Sequence, residues 1–155
     1  MMKLKVYVQC NTEFFPFEYK NGDLIDLKAA KDVILDGGED ELIPLGVCIQ
    51  LPKGFKANVY PRSSTFKKYR IVMANSVGQI DCTYCGPEDE WKFPAYAVEQ
   101  THIKKGTRIC QFEIVPSMKA TVFQKLKWLF SNGVELIRVD KLNNKNRNGF
   151  GSSGN

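Results

Sequence analysis

Apolar residues recur at every second position along most of the chain. In KLKVYVQ, residues 3–9, Leu4, Val6 and Val8 share one face, the period of a half-buried strand. IPLGVCIQL, 43–51, puts Val47, Ile49 and Leu51 on one face, and PKG at 52–54 supplies a turn. FKANVYP, 55–61, repeats the plan with Phe55, Ala57 and Val59. A turn at Lys104–Gly106 opens a further strand that ends at Pro116. Many short strands at about ten-residue spacing predict an all-β sandwich or closed barrel.

One segment changes period. In ATVFQKLKWLFSNG, 120–133, Val122, Phe123, Leu126, Leu129 and Phe130 fall at helical spacing, with Lys125 and Lys127 displaced from them. Asn132–Gly133 reads as its stop signal. This predicts one short helix near 119–132 that packs its apolar stripe on the barrel; docking of a protein partner is the alternative use. The tail NNKNRNGFGSSGN, 143–155, has almost nothing to bury and predicts a mobile arm after a 1–142 domain. Its Gly-x-Gly is of the kind whose backbone N–H groups cradle phosphates.

Composition narrows the class. With 155 residues, 43% hydrophobic and 25% charged, the chain has the makings of one globular domain. No apolar run approaches the roughly 20 residues of a membrane span. MMKLKVYVQC enters directly into strand alternation, without a signal-peptide pattern, so a cytoplasmic location is expected. The net charge is +5, but lysines and arginines are scattered, with no dense basic run to track a nucleic acid. Such a balance suits a small polyanion.

The cysteines test a competing chemistry. Five of them, an odd number, argue against a disulfide framework. Cys82 and Cys85 form a C-x-x-C inside GQIDCTYCG, 78–86, yet zinc would need two more ligands. His102 is the sole histidine, and Cys10, Cys48 and Cys110 form no second pair. A redox dithiol normally opens a helix, whereas the flanks here read as strand and turn. Asp81 and Tyr84, interleaved with the cysteines, are the stronger candidates.

Singly, the polar clusters have plain structural explanations. PRSS at 61–64 could be a capped turn, Asn75 and Gly78 could shape a hairpin, and Arg108 and Gln111 could line a solvent face. Their order is more specific. DLKAA (26–30), PRSSTFKK (61–68), NSVGQIDCTYCG (75–86), IKKGTRICQ (103–111) and RNGFGSSG (147–154) follow one another as the five motifs of the trimeric dUTPases do. The chain resembles that family from residue 26 to residue 154.

The resemblance implies a jelly-roll-like distorted barrel and hydrolysis of dUTP to dUMP and pyrophosphate, with Mg²⁺ as cofactor. Asp81 would be the base that deprotonates the attacking water. Tyr84 would pack on the sugar and exclude a 2′-hydroxyl. The backbone of Gly78, Gln79 and Ile80, with Asn75, would read the uracil edge. Arg62, Ser63, Ser64 and Gln111 would hold the phosphates, and Asp26 would stand near the metal's water shell. Phe150, Gly151, Ser152 and Ser153 would form a closing lid.

Arg147 would be the arginine that meets the transition-state charge, since a guanidinium can clamp two phosphate oxygens. Lys145 stands five residues before Phe150, where the motif-five arginine commonly sits; Arg147 stands three before it. Leu24 replaces a usual glycine in motif one, and Cys85 follows Tyr84 where arginine is common. The assembly implied is a homotrimer, with motif three from one subunit, motifs one, two and four from a second, and the arm from a third. The dCTP deaminases share this fold but lack the lid, so residues 147–154 argue against them. A regulatory trimer that binds a partner through the 119–132 helix would be an addition to catalysis. PEDEWKF, 87–93, has no role in this reading.

Overall fold

The computed structural model describes residues 2–150, so Gly151, Ser152 and Ser153 lie outside the described residues. Strands come first: β1 (Met2–Cys10), β2 (Phe17–Glu18), β3 (Ile25–Lys28), β4 (Val33–Leu35), β5 (Asp40–Pro44), β6 (Val47–Gln50) and β7 (Phe55–Pro61). After α1 (Thr65–Tyr69) come β8 (Ile71–Met73), β9 (Gly78–Asp81), β10 (Lys92–Ala97), β11 (Thr101–Ile103) and β12 (Arg108–Pro116). The chain then runs through α2 (Val122–Leu129) to β13 (Ser131–Val139). No helix is long and apolar enough to cross a membrane among the described residues.

Alternation in the sequence becomes alternation of burial. Leu4, Val6 and Val8 of β1 and Phe55, Ala57 and Val59 of β7 are all buried. They join Trp91, Phe93 and Phe112 in one core between small sheets, with Trp91 and Phe112 edge to face at 5.2 Å. The sheets run β13-β1-β6, β5-β10-β8, β11-β4 and β2-β3-β12-β7-β9. The last carries most of the chemistry. Its register sets Asp26 against Gln111 and Gln111 against Tyr60, while Asp81 lies against Lys56.

Three elements differ from the sequence reading. A short helix, α1, grows from the PRSSTFKK motif and is stopped by Arg70 in the left-handed region at φ 52°. Asn132–Gly133 is not a helix stop. Phe130 already caps α2, and residues 131–139 form a strand parallel to β1. There the pairing steps from Met2–Ser131 to Leu4–Val134, so one extra residue is accommodated as a bulge, with Gly133 at φ 79°. A turn signature within a strand marks a bulge as readily as an end.

The third difference is the packing of α2. Its start follows the sequence closely, with Thr121 and Gln124 exchanging the two hydrogen bonds of a capping box. Its apolar stripe, however, does not lie on the barrel. Phe123 and Phe130 are 84% and 70% exposed, and no residue of α2 is buried. β13 fills the place beside β1, and the helix is left outside it.

Candidate active site

The first functional cluster surrounds β9 and the turn after it. Gly78 is buried, and a Cβ there would lie 3.0 Å from Met73 Cε and 3.2 Å from Val59 Cβ. Glycine lets β9 close over Val59. The result is a cavity of about 250 Å³ bounded by Asn75, Gly78, Gln79, Ile80 and Tyr84, with Arg147 and Phe150 at its mouth. Drug-sized pockets run from about 300 to 1,000 Å³, so this one suits a base and sugar, not a longer polyanion.

Tyr84 is held rigidly. Its hydroxyl donates to the Glu90 carbonyl at 2.8 Å, and its ring meets Phe150 edge to face at 5.9 Å. Burial, with Asp89 and Glu90 nearby, pushes the phenol up to about 12, so it stays protonated.

Asp81 stands beside this cavity. The Thr83 N–H and hydroxyl both donate to its Oδ1, and Arg147 Nη1 donates to its Oδ2 at 2.7 Å. Partial burial works against the charged form, but the Thr83 hydrogen bonds and the Arg147 guanidinium outweigh it. They hold the carboxyl below its ordinary 3.8.

The second cluster is cationic. Arg62, just beyond β7, is tied to β12 through Arg62 N–H to Ile109 and Nη1 to the Arg108 carbonyl, at 3.4 and 3.3 Å. Arg62 Nε and Arg108 Nη1 approach Asp26 Oδ2 at 3.0 and 3.5 Å, and both guanidinium groups donate to the Tyr19 hydroxyl. Gln111 Nε2 donates to the Pro61 carbonyl at 3.4 Å, which holds its amide beside the same loop. Ser63 is exposed, and Ser64 begins α1 without spending its hydroxyl on a cap. Motifs one, two and four therefore converge on one anion-attracting surface.

Asp26 does not have the surroundings of a metal-facing carboxylate. Its side chain is 1% exposed and flanked by two arginines. Burial pushes its carboxyl up against their pull. A dication and its waters would meet like charge there, so Asp26 is better placed to orient Arg62 and Arg108. No three His, Cys, Asp or Glu gather as a metal site among the described residues. The cluster fits a polyphosphate, and a metal only as its passenger.

The two clusters do not meet within the chain. Asp81 lies at the level of Lys56, four residues along β7 from Tyr60, the level of Gln111. That offset is about 13 Å at strand rise, with the width of the sheet in addition. Each cluster is half of a site.

The arm also departs from expectation. The resemblance implies that it serves another subunit, but residues 144–150 lie on their own chain. Asn144 Nδ2 donates to the Cys85 carbonyl, Asn146 Nδ2 to Glu88, and the Arg147 and Asn148 N–H groups to Asp89 at 2.8 and 2.9 Å. Lys145 makes no side-chain ion pair among the described residues, whereas Arg147 reaches Asp81.

The sequence reading missed Asp89, Thr83, Arg108 and Tyr19 as site residues. Asp89 sits in PEDE, which looks like a solvated acidic turn, and no spacing marks it as buried. Cys82 packs at the core's edge and Cys85 contributes its backbone carbonyl; all five cysteines are free.

Acid should release the arm. Burial raises Asp89, but three backbone N–H groups and Arg147 more than offset it, so its carboxyl, like Asp81's, lies below 3.8. The docking these charges support is complete above that ordinary value and is lost as pH falls through the lower folded values. The amide resonances of Arg147 and Asn148 should hold their positions down to about pH 4, then move together with the two carboxyls. Unchanged amides through both titrations would contradict the assignment.

A family model described as dUTPase matches residues 18–154. The SPbeta prophage-derived deoxyuridine 5'-triphosphate nucleotidohydrolase YosS of Bacillus subtilis (strain 168) is 44% identical over 153 residues, covering 99% of both chains. The deoxyuridine 5'-triphosphate nucleotidohydrolase of Finegoldia magna is 31% identical, again over 99% of each. Among solved structures, the dUTPase of Streptococcus mutans superposes with a TM-score of 0.66 at 24% identity, covering 74% of this chain and 98% of that one. The dUTPase of phage phi11 of S. aureus, which coordinates a structural Mg(II) ion, gives 0.65 at 18% identity over 76% and 94%.

Proposed function

The chain belongs to the dUTPase family and hydrolyses dUTP to dUMP and pyrophosphate; we propose that Asp81 is the base and Arg147 the phosphate clamp. The observation that carries the assignment of roles is the 2.7 Å contact between those two residues at the mouth of a nucleoside-sized cavity. Uracil enters against the backbone of Gly78, Gln79 and Ile80 and beside Asn75. A site built of fixed polar groups rejects a base with the wrong donors more strongly than an apolar pocket does. Tyr84, fixed through Glu90, leaves no room for a 2′-hydroxyl on the sugar.

The triphosphate then lies outside the cavity, along Arg147. In the free protein that guanidinium is spent on Asp81. A triphosphate carries more negative charge and draws it away, which removes one of the influences that keep the Asp81 carboxylate weakly basic. Asp81 takes a proton from water, the water oxygen bonds to the α-phosphorus, and the bond to the oxygen bridging to the β-phosphorus breaks. Pyrophosphate leaves with the charge, which positive groups must already be in place to meet. Mg²⁺ is carried on the phosphate oxygens and neutralises part of their charge.

Arg62, Ser63, Ser64 and Gln111 hold the phosphates from a second copy of the chain, because within one chain they stand too far from Asp81. The assembly is a homotrimer, with Asp26 aligning its arginines. Residues 1–142 form the catalytic body and 143–155 the closing arm, with Gly151, Ser152 and Ser153 contributing to the lid. An enzyme of the nucleotide pool acts where the pool is, in the cytoplasm. The test is pyrophosphate release across dUTP, dTTP, dCTP and UTP. Release from dUTP alone is expected; comparable release from UTP would overturn the role of Tyr84, and no release from dUTP the whole reading.

A further inference from the structure

The acidic turn after β9 is shaped to receive the arm. Asp89 is 1% exposed, and its carboxylate accepts three backbone N–H groups: Gly86 from its own turn, and Arg147 and Asn148 from the arm. The Glu88 N–H donates to Asn146 Oδ1, and Asn146 Nδ2 returns a hydrogen bond to the Glu88 carboxylate at 2.8 Å. Two glycines make this approach possible. A Cβ on Gly86 would lie 2.7 Å from the Asn146 backbone nitrogen, and one on Gly149 would lie 2.7 Å from the Tyr84 ring. Turn and arm are therefore complementary in hydrogen bonding and in shape, across about sixty residues of the same chain.

A buried carboxylate left without donors is costly, so Asp89 is retained here only because the arm supplies two of its three partners. Those two N–H groups belong to Arg147 and its neighbour. Fixing the backbone at 147 and 148 fixes where the guanidinium begins, and Asn148 is set in the left-handed region at φ 60°. Phe150 is then carried over Tyr84.

We infer that Asp89 is the positioning residue of the arm, and that it latches the arm over the uracil cavity of its own chain. The site is then completed by two chains: cavity, base and arm from one, phosphate-binding surface from another. This rests on the reading of Arg147 as the phosphate clamp, but the chain that supplies the arm can be decided without any activity.

Glu88→Cys/Asn146→Cys in one chain, joined by mild oxidation or a short bismaleimide, should give a cross-linked monomer on a denaturing gel. Each single variant serves as the control for native cysteines. Covalent dimers or trimers would overturn latching in cis, and absence of any new cross-link would overturn the docking itself.

Asp89→Asn replaces one acceptor by an NH₂ group that faces backbone donors. Its kcat should fall on the order of 10²-fold, the cost of small misplacements of reacting groups, while KM changes little. Gly86→Ala displaces the arm through its backbone and removes no polar group, so it should show the same split. It keeps the question open to test where Asp89→Asn fails to fold. Rapid amide exchange confined to 144–150 should accompany both losses, at an unchanged melting temperature. A normal kcat in folded Asp89→Asn and Gly86→Ala, with Arg147→Lys impaired, would remove Asp89 from the mechanism. If the wild type releases no pyrophosphate from dUTP, the functional reading fails while the cross-link still reports on the latch.

Discussion

Asp81→Asn should lower turnover of dUTP by at least about 10²-fold, the ordinary contribution of a positioned general base. Asparagine keeps the size of the side chain, and its carbonyl oxygen can still accept from the Thr83 N–H. What it cannot do is take a proton from water. The cavity that reads the base is bounded by Gly78, Gln79, Ile80 and Tyr84 and remains intact. A non-hydrolysable dUTP analogue should therefore bind within a few-fold of its normal affinity, so that the loss falls on kcat. The variant also loses the formal charge that holds Arg147 in the free protein. The guanidinium would be easier to recruit to the triphosphate, and analogue binding could even tighten. Turnover near that of the wild type would reject Asp81 as the base.

The sequence made much of this visible, and the reasons are local. Leu4, Val6 and Val8 or Phe55, Ala57 and Val59 face the core because a strand turns its side chains over at every residue. Thr121 and Gln124 announce the start of α2 because a capping box is built from residues three apart. Where the information was tertiary, the reading fell short. The helical period of α2 was correct, but period does not say whether another element, here β13, already occupies the space. The parallel pairing of β1 with β13 joins the two ends of the described fold, and no local pattern encodes it. The motif residues separated into two groups for the same reason: spacing places Asp26 and Asp81 on strands, but only the register sets them apart. Asp89 was illegible because its burial is created by residues 147 and 148.

Deleting residues 144–155 should leave the fold and assembly in place while abolishing most turnover. The segment makes polar contacts with Cys85, Glu88 and Asp89 but buries little apolar surface. Phe150 is 45% exposed, whereas the buried Leu142 stays with the body. The melting temperature should therefore change little, although Asp89 would have to find water in place of two backbone donors. dUMP should still enter the cavity, with some loss from the missing contact between Phe150 and Tyr84. The triphosphate loses the guanidinium that meets its developing charge. Arginines in that role contribute on the order of 10³–10⁵ in rate, so kcat should fall far more than ground-state binding weakens. Arg147→Lys should reproduce much of the deletion, because an ammonium is a point charge without the planar fork. It should also raise the Asp81 carboxyl toward its ordinary value wherever the ammonium fails to reach Oδ2, which a carboxyl titration would register. Lys145→Ala should be mild, since that side chain makes no ion pair among the described residues. The reverse order, with Lys145→Ala as damaging as the deletion and Arg147→Lys nearly silent, would transfer the clamp to position 145 and leave the Arg147–Asp81 contact as a resting-state pair only.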